Sequence, residues 1–316
     1  MRAAFLDYDT VSNGDLDTSG LRRVVEELEL FDLEESKMPE QMRGADIVLV
    51  NKLALTRELL HGAASLKLVT LAATGTNNVD LLAARERGIG VCNLRAYCTA
   101  SVVQQVWGLI LALTQHIAEY SRLSRDGSWV RDEAKTALSH PIRELNGRIF
   151  GVIGWGELGK ASAEMATAFG MRVVIANRRG APPAADRLDL DELLRMADIV
   201  SCHCPLTDTT RGMIGERELA LMKSDALLIN TARGALIDSA ALAAALRAGR
   251  LGGAGLDVLP EEPPLHGNPL LDADIPNLLV TPHVAWSARE ARQRCLDEMA
   301  ENIRDFRRGG RRGRVV

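Results

Sequence analysis

The sequence predicts an α/β protein built from two Rossmann-like, doubly wound parallel-sheet domains. Two observations carry this. Short apolar runs alternate with helical patterns in two separate series, and the second series opens on a strand, a glycine loop and a helix in direct succession. The bulk numbers agree, because 316 residues with 47% hydrophobic and 25% charged side chains suffice for two ordinary soluble domains.

The first series begins with Arg2 to Leu6, followed by Asp46 to Val50, Lys67 to Leu71 and Ile89 to Cys92, each a short apolar run bounded by polar residues. Between them, Gly20 to Leu30 and Thr56 to Ala63 carry helical periodicity. Ser101 to Tyr120 then reads as one long helix. Its apolar positions (Val102, Val103, Val106, Leu109, Ile110, Leu113 and Ile117) cover so much of the circumference that burial between domains or subunits is expected. The second series starts at Ile149 to Ile153 and continues through Arg172 to Ala176, Asp198 to Ser201, Ala226 to Asn230 and Gly252 to Leu256. A last strand end lies at Val280 to His283. Helical patterns such as Leu158 to Phe169 and Ala240 to Leu246 separate these strands. Ala288 to Phe306 is helical again. If it folds back onto the first half, that domain is discontinuous, spanning 1–98 plus 285–316 around a second domain of 99–284.

Composition narrows the function. A formal net charge of −4 gives no general attraction to nucleic acid or to an anionic membrane, and the arginine-rich stretch from Arg304 to Arg314 reads as a frayed, solvated tail. The longest apolar stretch, Val106 to Leu113, is far short of a bilayer span, and Asp7 and Asp9 interrupt any N-terminal leader, so a cytoplasmic protein is expected. Five cysteines fit no disulfide framework. Cys202-His203-Cys204 continues a strand whose neighbours point to opposite faces, so no metal site is expected there.

Gly154-Trp155-Gly156-Glu157-Leu158-Gly159 has the context that a dinucleotide-binding loop requires, with a strand before it and a helix after it. Gly154 is expected to make the tight turn, Gly156 to admit the pyrophosphate and Gly159 to let the helix pack on the strand, while free N–H groups hold the anion. The acidic residue that normally follows about 20 residues on is absent. Asn177 stands there, followed by Arg178 and Arg179. A carboxylate would repel a 2′-phosphate, whereas these arginines can grip one, which favours NADP. NAD remains the alternative, since asparagine can bond a ribose hydroxyl.

Three later segments end at the carboxyl side of strands, where ligands of such sheets bind: Asn230 to Gly234, Gly255 to Pro264 and Thr281 to Trp286. Arginine, glutamate and histidine can therefore converge beside a nicotinamide. With the loop from Gly154 to Gly159, Thr74 to Asp80, His203-Cys204-Pro205-Leu206, Asn230 to Gly234, Asp257 to Pro263 and Pro282-His283, the sequence resembles the D-isomer-specific 2-hydroxyacid dehydrogenases over nearly its whole length. The likeness is greatest to their glycerate dehydrogenase and hydroxypyruvate reductase branch.

The resemblance implies a flavodoxin-like substrate-binding domain, an NAD(P)-binding domain and a small 2-keto or 2-hydroxy acid as substrate. It makes Arg233 the ligand of the substrate carboxylate and keto oxygen, Glu262 (before the proline pair) the family's glutamate, and His283 the acid–base. Elementary chemistry suits these roles. Reducing a 2-keto acid needs a hydride on carbon and a proton on oxygen, and histidine titrates in the useful range. A carboxylate beside an imidazole favours the protonated ring, and a guanidinium fork fits a carboxylate and its neighbouring carbonyl together.

The resemblance also implies that Thr74 and Gly75 hold the substrate carboxylate, with Thr74 near the cofactor, and that Cys204, Thr231, Ala232 and Asp257 line the nicotinamide end. Cys204 stands where relatives often have threonine. Lys52 is either a second carboxylate clamp or an exposed loop lysine, and Trp286 either walls the substrate pocket or packs the core. A homodimer built around the helix after Tyr97 is implied as well. Hydroxypyruvate or glyoxylate reduction is the leading expectation. Another 2-keto acid of the phosphoglycerate or lactate type is the enzymatic alternative, although the chain's 316 residues leave no room for the regulatory domain that phosphoglycerate enzymes often carry. A nucleotide-sensing, corepressor-like module is the alternative outside catalysis.

Overall fold

In the computed structural model, residues 1–316 are described apart from Arg179, Ala181 and Pro183 and the side chain of Ala134. The chain divides into two compact units, Met1–Cys98 with Trp286–Val316 and Thr99–Ala285.

The first unit holds five strands, β1 (Arg2–Phe5), β2 (Glu27–Leu30), β3 (Ile47–Val50), β4 (Leu68–Leu71) and β5 (Gly90–Cys92). They pair in the order β2-β1-β3-β4-β5, and every pairing is parallel. β3 and β4 are buried along their whole length because both sheet faces are covered, which is why β3 reads as an unbroken apolar run and β4 as one broken only by Thr70. One face packs against Cys295, Leu296, Met299 and Ile303 of the helix Arg289–Arg307, and the other against Met38, Leu60 and Ala83.

Three expectations are corrected here. The stretch Gly20 to Leu30 is not one helix: a turn of helix at Ser19–Arg22 is followed by β2. Glu27-Leu28-Glu29-Leu30 alternates with the period of an edge strand, and Arg2 on β1 binds Glu29 across the pair. The arginine-rich tail is not frayed. Val315 N–H donates to Val91 O (2.8 Å), Asn93 N–H donates to Gly313 O (3.0 Å), and Arg314 lies antiparallel to Cys92, so the tail covers the open edge of β5. The helix after Tyr97 also breaks. Thr99–Gln115 and Ile117–Arg125 are separated by His116, which has a left-handed backbone (φ 49°) and whose ring stacks on His140 at 5.2 Å.

The second unit holds β6 (Ile149–Ile153), β7 (Arg172–Ile175), β8 (Ile199–Cys202), β9 (Leu227–Asn230), β10 (Gly253–Leu256) and β11 (Leu278–Val280). The order is β11-β10-β9-β8-β6-β7, again all parallel. Beyond β7, Leu188 bridges Ala176 in parallel and acts as a rudimentary extra strand. With it, the second unit has the strand order of a dinucleotide-binding sheet, and the order reverses between β6 and β8. The helices Thr99–Gln115 and Glu157–Ala168 pack on one face around Trp107 and Phe150. Leu190–Met196, Glu216–Leu221 and Ser239–Arg247 pack on the other around Leu194, Val200 and Leu242. Among the described residues no helix is long and apolar enough to cross a membrane.

Candidate active site

The glycine loop leaves β6 at the point where the strand order reverses. Gly154 has φ 105°, in the region that disfavours side chains, and a Cβ there would lie 2.5 Å from the backbone N of Cys204. His203 N–H donates to Ile153 O at 2.7 Å, and this bond holds the end of β8 against the turn. A Cβ on Gly159 would strike the carbonyl oxygen of Gly154, so the helix Glu157–Ala168 packs onto the loop only with glycine there. Around Gly156, by contrast, the space is open, and no side chain caps that helix. Its first N–H groups are therefore available to an anion. Trp155 and Leu158 are half-buried, and Glu157 accepts a hydrogen bond from Thr99.

Beyond β7, Asn177 N–H donates to Leu188 O (2.7 Å), and its side-chain oxygen accepts from Ala184 N–H (3.1 Å). Arg178 is exposed, whereas Arg179 lies outside the described residues. Asp189, unremarked in the sequence, brings a carboxylate oxygen to 3.5 Å from Asn177 Nδ2.

The carboxyl end of β9 carries Asn230-Thr231-Ala232-Arg233. Asn230 is fully buried and folds this segment by donating to Arg233 O (2.9 Å) and accepting from Ala232 N–H (3.0 Å). Arg233 is half-buried, and its guanidinium donates to Ala232 O (2.7 Å). Among the described residues no carboxylate pairs with it. Its remaining donors suit an incoming carboxylate. Next in sequence, Gly234 is pressed against the carbonyl of Leu259, which brings the β10 loop alongside.

That loop bears Glu262, which accepts from Leu259 N–H (2.8 Å) through Oε1 and contacts His283 Nδ1 (2.5 Å) through Oε2. Glu261 turns elsewhere, to His266 (2.7 Å). His283 follows β11 with a left-handed backbone (φ 53°), and its N–H donates to Thr281 O (2.9 Å). The structure thus brings Glu262 and His283 together and ties Arg233 to the same loop.

Other candidates are placed differently. Asp257, expected to line the nicotinamide end, is fully enclosed. Its carboxylate accepts from the Thr281 hydroxyl (2.5 Å), Val284 N–H (3.0 Å) and Ala285 N–H (2.8 Å). Cys204 points its sulfur at Met213 (3.8 Å) in the core beside Ala232, and burial raises its thiol pKa; its backbone, not its side chain, meets the glycine turn. Thr231 is buried, and its hydroxyl oxygen has no partner.

In the first unit, Thr74 is exposed, with its carbonyl accepting from Asn93 Nδ2 (2.7 Å), and Gly75 is half-buried. Lys52 is exposed, with its ammonium 5.9 Å from the ring centre of Trp286. Buried Asp7 holds the Lys52 loop, accepting from Asn51, Lys52 and Leu53 N–H at 2.6–3.1 Å.

In the motif after β8, burial pushes the His203 imidazole down to about 4; Nε2 lies 2.9 Å from the Ser201 hydroxyl and Nδ1 is buried without a partner.

A dinucleotide fits these residues. The open approach at Gly156, the uncapped helix and the unpartnered Thr231 hydroxyl are features that a bound pyrophosphate and nicotinamide would complete.

Comparison with known proteins gives a family. The family model described as D-isomer specific 2-hydroxyacid dehydrogenase, NAD binding domain, matches residues 107–285. A glycerate dehydrogenase of Methylorubrum extorquens is 43% identical over 84% of this chain and 84% of its own. A hydroxypyruvate reductase of Blautia hydrogenotrophica is 35% identical over 98% of each. Among solved structures, an acyclic imino acid reductase in complex with NADPH and D-Arg superposes with a TM-score of 0.85 at 29% identity, covering the whole of both chains.

Proposed function

The chain belongs to the D-isomer-specific 2-hydroxyacid dehydrogenases, and on that premise we propose that it reduces hydroxypyruvate or glyoxylate, giving D-glycerate or glycolate, with NADPH as the preferred reductant. The activity class comes with the family: the chain is an NAD(P)-dependent 2-hydroxyacid oxidoreductase with an NAD-binding domain.

The observation that carries the mechanism is the 2.5 Å contact between Glu262 and His283 Nδ1. With Nδ1 held by the carboxylate, the proton exchanged with substrate is the one on Nε2. Arg233 binds the substrate carboxylate and the keto oxygen with the donors left over from Ala232 O, and so turns the carbonyl toward His283. Bound nicotinamide supplies the hydride to the carbonyl carbon. His283 gives its proton to the oxygen and regains one from solvent, and Glu262 stabilises the ring in its charged form, before the transfer and again once the proton is regained. Gly154, Gly156, Gly159 and Thr231 hold the cofactor. Residues 1–98 with 285–316 are the substrate-binding domain, and Lys52, Thr74, Gly75 and Trp286 are its substrate ligands. Residence in the cytoplasm fits five free thiols.

The NADPH preference is supported by Asn177 in place of an acid and by exposed Arg178. A solved relative also carries NADPH. One observation favours NADH as the second reading: Asp189 beside Asn177 would oppose a 2′-phosphate.

A homodimer is proposed for the segment from Ile117 to Ile142. Ile117, Trp129, Val130, Leu138 and Ile142 are all exposed there, Val130 at 89% and Leu138 at 87%.

The test is initial-rate kinetics with NADPH and NADH across hydroxypyruvate, glyoxylate, pyruvate and phosphohydroxypyruvate. The highest kcat/KM is expected for hydroxypyruvate or glyoxylate with NADPH. A higher value for pyruvate or phosphohydroxypyruvate would displace the substrate assignment, and a higher value for NADH the cofactor assignment.

A further inference from the structure

The chain leaves β3 through Asn51-Lys52-Leu53, where Asn51 and Leu53 are buried and Lys52 between them is exposed. The Lys52 ammonium stands 5.9 Å from the ring centre of Trp286, within cation–π reach. Among the described residues no carboxylate pairs with it, so its charge is open to an anion. A lysine stem is flexible, so where the ammonium stands depends on how firmly the backbone beneath it is held.

Asp7 does the holding. It lies two residues past β1, the strand adjacent to β3, and Leu6 N–H donates to Leu49 O (3.0 Å), which extends the pairing up to it. Oδ1 accepts from Asn51 N–H (2.9 Å), while Oδ2 accepts from Lys52 N–H (2.6 Å) and Leu53 N–H (3.0 Å). Three successive N–H groups thus turn onto one carboxylate. That carboxylate is completely buried, so these donors are what compensates its charge. The loop is gripped elsewhere too. Asn51 Nδ2 donates to the Thr10 hydroxyl oxygen (2.9 Å), and Asn78 Nδ2 donates to the carbonyls of Asn51 (3.2 Å) and Leu53 (3.0 Å).

We infer that Asp7 is a positioning residue for Lys52: it fixes the peptides on both sides of the lysine and so sets the ammonium over Trp286, where it meets the substrate carboxylate. The inference rests on the proposed role of Lys52 as a substrate ligand. Asp7 itself touches neither substrate nor cofactor. A carboxylate is needed because all three groups facing it are donors. In Asp7→Asn the amide NH2 must face at least one of them, so a bond is lost and a donor is left opposed. The effect belongs to substrate affinity. An ammonium that binds the carboxylate alike in ground and transition states governs KM and leaves kcat unchanged.

The experiment compares Asp7→Asn, Lys52→Met, the double variant and Thr10→Val with the wild-type chain. The readouts are KM and kcat for hydroxypyruvate and for glyoxylate at saturating NADPH. Lys52→Met, which removes a charged hydrogen bond, is expected to raise KM roughly tenfold or more and to hold kcat within about twofold. Asp7→Asn is expected to raise KM by up to that same factor, again with kcat held within about twofold. The double variant should have the KM of Lys52→Met alone, because Asp7 acts through the lysine. A wild-type KM in Asp7→Asn would overturn the inference. So would a lowered kcat at unchanged KM, the mark of a merely structural residue, or a double variant in which the two effects multiply. If Asp7→Asn does not fold, Thr10→Val decides, since it releases Asn51 on the same loop. Its KM is expected to rise roughly threefold, and a wild-type KM there overturns the inference. A wild-type KM in Lys52→Met removes the underlying reading of the lysine, whereas a raised KM in Lys52→Met beside a normal Asp7→Asn removes the positioning role alone.

Discussion

Burial acts on single side chains in ways that pH can report. Surroundings without a compensating charge push the His203 imidazole down to about 4, so it is neutral in the folded chain at pH 7. An unfolded histidine takes up its proton near pH 6.5. Between those two values the unfolded chain binds more protons than the folded one. The stability associated with this group is therefore complete above pH 6.5 and is lost as pH falls toward 4. Urea midpoints of the wild-type chain should fall across this window, and those of His203→Gln should fall less steeply; equal slopes would contradict the assignment. At this scale the sequence was informative where chemistry and neighbours agree. Glu262 and His283 meet, and the proline pair distinguishes Glu262 from Glu261, which turns to His266. Asp257 was legible as a strand-end acid. Its partners lie 24 to 28 residues away and depend on the register of β10 against β11, which no local pattern encodes.

Elements with strong periodicity were readable, and those decided by tertiary pairing were not. β3, β4, β8 and β9 are buried along their whole length and mostly apolar because both faces are covered. The rudimentary strand at Leu188 has no such run and exists because Asn177 N–H donates to Leu188 O and Leu188 N–H donates to Ile175 O beside β7. β2 looked helical because leucines and valines from Leu21 to Leu30 also satisfy a 3.6-residue period, and only pairing with β1 decides for a strand. The tail of arginines becomes ordered by completing an open edge, a contact between residues more than 200 apart in sequence. The segment from Ile117 to Ile142 is the reverse case, with large apolar side chains left exposed. If a second copy of the chain covers them, Val130→Asp should convert a dimer into a monomer by light scattering coupled to gel filtration. A wild-type chain that already elutes as a monomer at micromolar concentration would contradict the dimer.

At the scale of the whole molecule, both sheets are wholly parallel, so each gathers its strand ends on one edge. In the second unit that edge holds the glycine loop after β6, the His203 segment after β8, Arg233 after β9, Glu262 after β10 and His283 after β11. Residues far apart in sequence become neighbours through one rule of chain topology, which is why their convergence is legible in the sequence. The central claim is that the histidine held by Glu262 moves the proton that accompanies hydride transfer. It is tested most directly by the loss of NADPH absorbance with hydroxypyruvate or glyoxylate in the wild-type chain and in His283→Ala. Turnover should be lost by roughly 100-fold or more in the variant while NADPH still binds. Undiminished turnover in His283→Ala, or none with any small keto acid in the wild-type chain, would contradict the account.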